Sequence, residues 1–331
     1  VAHPSSILWV ESIWLDKARS WIDDQLTQHN IQRIGLIEQP HIRHWSTVLK
    51  VPTNIGYIYF KAVVPDLVYE ASVTQVLANW YPHWMPQILA VDQQQGWLLM
   101  KDGGMRLREV LKTENDIRYW ESILPIYAQL QQQSAKRVDD LLNSGLPNRC
   151  LAILPTKFKD LLADTEMLNL EHTGGISLAE YQRLQECTDL FAWLCEHLAS
   201  YGLPESLHHG DLHDGNVFIH EGCYLFFDWG DSSISHPFFT LESTFTSLEN
   251  RFSLEKHSFW FELLKECYLN SWFEYETQEK LLEAFNLAQR LSPILSALRW
   301  LPVLSGMDEL ERSKYSTQVP SLLREFINLN L

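Results

Sequence analysis

Near the start of the chain, Ile7, Leu8, Ile13, Trp14, Ala18 and Trp21 recur at roughly helical spacing. That period puts them on one face of a helix over residues 5–28, with Ser5 and Ser6 available as caps. From residue 31 to residue 64 the period shortens. Three β-rich runs, 33–38, 47–52 and 57–64, are punctuated by Pro40, Pro52, Asn54 and Gly56 and predict an antiparallel meander. Tyr69, Val73, Val76, Leu77 and Trp80 return to helical spacing and stop at Pro82. Residues 87–91 and 97–100 then predict two more strands around a turn at 94–96.

Beyond Asp102, Gly103 and Gly104 the pattern turns almost wholly helical, with segments predicted over 114–142, 178–201, 254–276 and 278–300. The exception is 216–228, where NVFIH and CYLFFD flank Glu221 and Gly222 as a hairpin. The expectation is an α+β chain in two lobes. Residues 1–103 form a leading helix and a five-stranded antiparallel sheet with one inserted helix, and residues 104–331 form a larger, mainly helical lobe.

Composition narrows the possible partners. At 331 residues and 46% hydrophobic, the chain has material for one large core or two smaller ones. A net charge of -16 argues against nucleic acid, whose phosphates demand concentrated Lys and Arg. No apolar run is long enough to span a membrane, and the first residues lack the basic and apolar blocks of a signal peptide. The 5 cysteines are odd in number, widely spaced and never paired as C-x-x-C, which argues against a disulfide framework and a zinc ribbon. A cytoplasmic protein with no membrane partner is expected.

The densest chemistry lies in HHGDLHDGNVFIHEGCYLFFDWGD, residues 208–231. Asp211 and Asn216 share a polar, glycine-containing loop, and Asp228 ends the apolar strand leaving the hairpin. Asn216 and Asp228 can converge as oxygen ligands on Mg²⁺, leaving Asp211 to orient and deprotonate a hydroxyl. An ordinary surface loop would also use Asp and Asn as turn formers; the flanking His209-Gly210, the hairpin and the terminal D-W-G weigh against that reading. His208, His209, His213 and His220 raise a zinc alternative, but Gly210 and Gly215 break the helix it would need. Asp214 and Asp231 read as solvated turn residues, with a second Mg²⁺ or a substrate as the alternative.

HGDLHDGN at 209–216 and DWGD at 228–231 resemble the catalytic loop and metal-binding segment of the aminoglycoside phosphotransferase family. Through that family the chain resembles choline kinases and the protein-kinase-like fold, from about residue 31 to residue 241. The resemblance implies ATP or GTP as donor, Mg²⁺ held by Asn216 and Asp228, and a small-molecule hydroxyl as acceptor. It implies catalytic base for Asp211 and a loop-stabilising role for His209.

A second constellation fits it. Lys61 lies mid-strand among apolar neighbours, where an ammonium is costly without a partner, and Glu70 opens the next helix. If the two meet, Lys61 can hold the α- and β-phosphates; otherwise it is an edge-strand Lys with its head in water. WLLMKDGG at 97–104 resembles the family's interlobe hinge, implying adenine contacts by backbone near Lys101 and Gly103, with Met100 as a wall. The expected phosphate-covering turn, HIRHWST at 41–47, contains no glycine, and only Ser46 and Thr47 offer themselves there.

Gly210 stands where protein kinases carry an Arg, and only residues 229–235 separate Asp228 from His236 and Pro237, too short for a peptide-docking segment. A protein kinase is therefore disfavoured, and a nucleotide-binding scaffold without transfer activity is the rival from another class. The 9 glutamates between Glu242 and Glu283 suggest an acidic face that could attract a cationic acceptor, although such residues on amphipathic helices are commonly just solvated. Trp260, Tyr268, Trp272, Phe273 and Tyr275 could stack on an acceptor or belong to the core.

Overall fold

The computed structural model describes residues 7–255 and 258–331. The proposed caps Ser5 and Ser6 lie outside the described residues. The leading helix α1 spans Ser12–Gln28 and buries Trp14, Ala18, Ile22 and Leu26. It covers one face of a sheet made of β1 (Glu38–Ile42), β2 (Ser46–Thr53) and β3 (Gly56–Val63), then, after helix α2 (Tyr69–Trp80), β4 (Ile88–Asp92) and β5 (Trp97–Lys101). The strand order is β1-β2-β3-β5-β4, antiparallel throughout.

Strand periodicity decides what this sheet can do. On β3, Ile58, Phe60 and Ala62 point into the α1-facing core, so the alternate residues Tyr59 and Lys61 point to the opposite face. Lys61 is in register with Val48 on β2 and Leu98 on β5, and all three face the cleft beneath the sheet.

The first strand differs from expectation. The run 33–38 is mostly unpaired: Ile34 and Leu36 are exposed, and Arg33 makes an isolated bridge to Thr53 while its guanidinium binds Asp23. The strand instead begins at Glu38 and contains Pro40, which is tolerated because β1 is an edge with no further strand to receive an N–H.

From β5 the chain passes through Gly103 and Gly104 into β6 (Met105–Arg106) and then into α3 (Leu107–Glu114), α4 (Tyr119–Ser134), α5 (Val138–Asn143), α6 (Leu154–Ala163), α7 (Leu178–Glu186) and α8 (Thr188–Ala199). The short strands β7 (Ser206–His208), β8 (Val217–His220), β9 (Cys223–Phe226) and β10 (Ser233–Ser235) follow. The chain ends in α9 (Leu241–Phe252), α10 (Phe259–Asn270), α11 (Gln278–Ser305), α12 (Glu309–Ser313) and α13 (Gln318–Asn330).

The hairpin expected over 216–228 is β8 and β9, joined on its open edge by β6. Residues 178–201 form two helices that meet at Cys187, the expected segment 114–142 breaks after Ser134, and α11 runs on through Pro293 and Pro302. Strands β6, β7 and β10 and helices α3, α6, α9, α12 and α13 fall outside the predicted segments; the strands are too short to show a period. A large core, including Trp120, Tyr127, Phe191, Trp229 and Tyr268, underlies the helical part. No helix among the described residues is long and apolar enough to cross a membrane.

Candidate active site

Under the sheet, Lys61 Nζ lies 2.6 Å from Glu70 Oε1 and 2.6 Å from Asp228 Oδ1. Strand β3 supplies the ammonium, the first turn of α2 one carboxylate, and the end of the β8–β9 hairpin the other. Burial by itself would drive Lys61 toward neutrality; the Asp228 and Glu70 charges outweigh it and raise the pKa above its ordinary value. One ammonium between two carboxylates leaves the group net negative. Burial pushes Glu70 up to about 7 against the pull of Lys61, while at Asp228, whose carboxyl is only partly removed from water, the nearby ammonium wins and the pKa falls. Asp228 also adopts a left-handed backbone with φ of 66°, uncommon for a residue with a side chain and frequent at functional sites.

The catalytic-loop candidates are held together by short-range bonds. Asn216 Nδ2 donates to Asp211 O at 3.0 Å and to Asp211 Oδ2 at 3.3 Å. His209 is fully buried, accepts the Asp211 N–H on Nδ1 and donates from Nε2 to Phe227 O at 2.9 Å. That pairing requires the neutral ring, in keeping with the burial that lowers its pKa to about 4. His209 thereby ties the loop carrying Asp211 to the residue before Asp228.

Gly210 has a physical reason beyond the missing Arg: its φ is 80° and a Cβ would overlap the Asp231 carbonyl. Asp231 itself is partly buried near Arg299, and burial raises its pKa to about 6 despite that charge. After Asp228 the chain folds straight back as β10 against β7, leaving no extended platform.

Two residues complete the surroundings of Asp211: Arg299, which no motif in the sequence marks, and His213, which the sequence offers only as a zinc-ligand alternative. His213 Nε2 lies 3.3 Å from Asp211 Oδ2, Arg299 Nη1 lies 3.6 Å from Asp211 Oδ1, and Arg299 also donates to Gly210 O. Burial alone would raise the Asp211 pKa; the His213 hydrogen bond and charge, then Arg299, outweigh it and keep the carboxyl below its usual range. Asp214 is neither a solvated turn residue nor open to a metal: it is buried between Arg108 and Arg251. Arg108 follows the hinge closely, but Arg251 and Arg299 lie on α9 and α11, so no local spacing could reveal them.

Two contiguous cavities meet at these groups. One, of about 700 Å³, runs from Lys61, Glu70 and Asp228 to Met100, Gly103 and Phe227. The second, about 470 Å³, shares Lys61, Asn216 and Asp228 with it and adds Asp211, Arg43 and Arg299. Lys101 stands at the end of β5 beside the first cavity and, unlike Met100 and Gly103, does not line it.

Ser46 lines both cavities. Thr47 points the other way and is fully buried, its hydroxyl spent on His41 O and Gln39. The glycine-free turn between β1 and β2 is anchored to the helical part instead: His44 pairs with Glu311 at 2.6 Å and Trp45 packs on Tyr315.

The histidines disperse. His208 contacts Thr240, His220 ends β8, and His209 and His213 serve the loop. Among the described residues no group of three or more His, Cys, Asp or Glu could hold a metal. Of the glutamates between Glu242 and Glu283 only Glu242 lines a cavity near Asp211. Tyr268 and Trp272 are core residues.

A model of the phosphotransferase enzyme family matches residues 58–253, more than half of the chain. The chain belongs to that family. Comparison with curated proteins gave no match. Among solved structures, this phosphotransferase resembles a macrolide 2'-phosphotransferase type I at 14% identity, with TM-score 0.60 over 92% of this chain and 97% of the other. An ethanolamine kinase from Plasmodium vivax gives TM-score 0.61 at 14% identity over 97% and 89%. An amicoumacin kinase solved with AMP-PNP, Ca²⁺ and its ligand gives 0.54 at 13% over 95% and 96%. These likenesses are of fold.

Proposed function

We propose that this phosphotransferase moves the γ-phosphoryl group of ATP or GTP onto a hydroxyl of a small molecule, with Asp211 as catalytic base. The observation that carries the reading is the convergence of Lys61, Asn216, Asp228 and Asp211 where two cavities meet. The nucleotide base would occupy the cavity walled by Met100, with hinge backbone near Lys101 and Gly103 along its edge, and Lys61, aimed by Glu70, would hold the inner phosphates.

The residues fit a divalent ion. The Asn216 amide nitrogen is committed to Asp211, which leaves its oxygen to serve as a ligand, and Asp228 brings a half-exposed carboxylate in a net negative group. Two protein oxygens completed by phosphate oxygens suit Mg²⁺, which keeps few protein ligands. When bound it would neutralise charge on the phosphates.

Asp211, ionised at neutral pH, accepts the hydroxyl proton as the acceptor oxygen bonds to the γ-phosphorus and the bond to the β–γ bridging oxygen breaks, releasing nucleoside diphosphate. His209 and Asn216 hold the carboxylate in place. Arg43 and Arg106 face the region between donor and acceptor and can neutralise the terminal phosphate where backbone N–H groups of a glycine-rich turn are missing.

The test compares the protein with Asp211→Asn, supplied with ATP, Mg²⁺ and a broad set of hydroxyl compounds, following phosphate addition by mass. Product from the protein and none from the variant is expected. Equal product from both would remove Asp211 from the mechanism, and no product from either would favour a nucleotide-binding scaffold.

A further inference from the structure

A third cavity, about 560 Å³, opens on the far side of Asp211, and every side chain lining it is polar or charged. Arg108, Arg251 and Arg299 reach it from α3, α9 and α11, and α9 adds Ser243, Thr246 and Asn250. Formal charge is balanced, since Asp211, Asp214 and Glu242 also line it. Hydrogen-bonding capacity is not. Asp214 is enclosed by Arg108 and Arg251, Asp211 is engaged by His213 and Asn216, and Glu242 Oε2 accepts the Ser296 hydroxyl at 3.4 Å.

Each guanidinium carries five N–H donors and no acceptor. Arg108 directs one edge at Asp214 yet keeps its side chain 38% exposed. Gly215 makes room for it: a Cβ there would meet Arg108 Cζ at 2.9 Å. The wall is thus rich in donors and carries no apolar side chain. An ammonium would face guanidiniums, and an apolar acceptor would strip water from charged groups without replacing its hydrogen bonds. Anionic oxygens and hydroxyls match it.

We propose that the acceptor is a small polyhydroxylated molecule bearing a carboxylate or a phosphate. Its anionic group binds Arg108 and Arg251 while one hydroxyl meets Asp211. This rests on the kinase reading above and specifies its substrate class.

The experiment measures kcat/KM for transfer from Mg-ATP to hexose, pentose and cyclitol acceptors, each as the neutral, amino, carboxylate and phosphate form, alongside Mg-ATP affinity by calorimetry. The expected result is at least a tenfold lead for a carboxylate or phosphate form over its neutral and amino counterparts. Which of the two leads separates the anion's sources. Thr246→Glu, at an exposed position of α9, should cut that lead at least fivefold with Mg-ATP affinity unchanged. Arg251→Lys, which keeps a cation beside Asp214, should raise KM for the anionic forms and leave kcat nearly unchanged.

A lead for amino or neutral forms, equal turnover of all four, or no turnover while Mg-ATP still binds would overturn the substrate class and leave nucleotide binding standing. Failure of the unsubstituted protein to bind Mg-ATP would overturn the kinase reading together with it.

Discussion

The cavities on either side of the Asp211–Asp228 line are built on different principles. The cavity proposed for the nucleotide donor combines a hydrophobic wall, including Val48, Leu98, Met100 and Phe227, with one buried ion-paired Lys. The cavity proposed for the acceptor has no apolar lining side chain and is made of arginines, hydroxyls and carboxylates with His213 and Asn250. A planar aromatic base can be recognised by shape and a few backbone bonds, so its site can be largely hydrocarbon. A polar acceptor must recover the hydrogen bonds it loses to water, so its wall must carry donors. Only the groups at the junction have to serve both.

Substitutions at and around that junction separate the two sides. Asp211→Asn should have the largest effect, lowering transfer by about 10³-fold with nucleotide affinity retained. Steady-state rates together with calorimetric titration of Mg-ATP check this. Lys61→Met removes charge-assisted bonds on the donor side and should weaken Mg-ATP binding about 10- to 100-fold. If acceptor KM rises as much as nucleotide KM, the division into two sides is wrong.

Gly103→Ala tests the apolar wall alone. An added Cβ would overlap the Phe227 ring, and repacking at about 1–2 kcal/mol predicts roughly tenfold weaker nucleotide binding without a change in acceptor KM.

The last substitution is at a residue that lines neither cavity and serves as their control. Glu205 accepts Leu151 N–H at 2.7 Å, and burial pushes it up to about 7. A carboxyl whose folded pKa is raised stabilises the fold least at high pH: the cost begins above the unfolded value near 4.5 and is complete above about 7. Glu205→Gln should therefore add on the order of 2 kcal/mol at pH 8 and close to nothing at pH 4, read by denaturant melts at both pH values. Transfer should not change.

The legibility of the site follows the same line. Asp211, Asn216 and Asp228 lie on one continuous stretch whose loop and hairpin were readable, and the β period placed Lys61 on the face opposite the core. Glu70 was within reach because a helix start follows that strand by a few residues. Asp214 was misread because a short polar loop looks solvated until Arg108 and Arg251 arrive from other elements to bury it. Thr47 was misassigned because strand pairing, rather than residue type, decided which way its hydroxyl points. The first strand shifted because an exposed β-prone run had no strand to pair with along its length.

The sequence by itself determined the two-part α+β architecture, the hairpin and the chemical identity of the junction, since period and close spacing are local properties that survive without a fold. The arginine-rich wall beside Asp211, by contrast, came from tertiary packing. Arg299 lies 3.6 Å from Asp211 although α11 is separated from the 209–216 loop by α9 and α10, and only packing of the helices could bring that charge to the carboxylate.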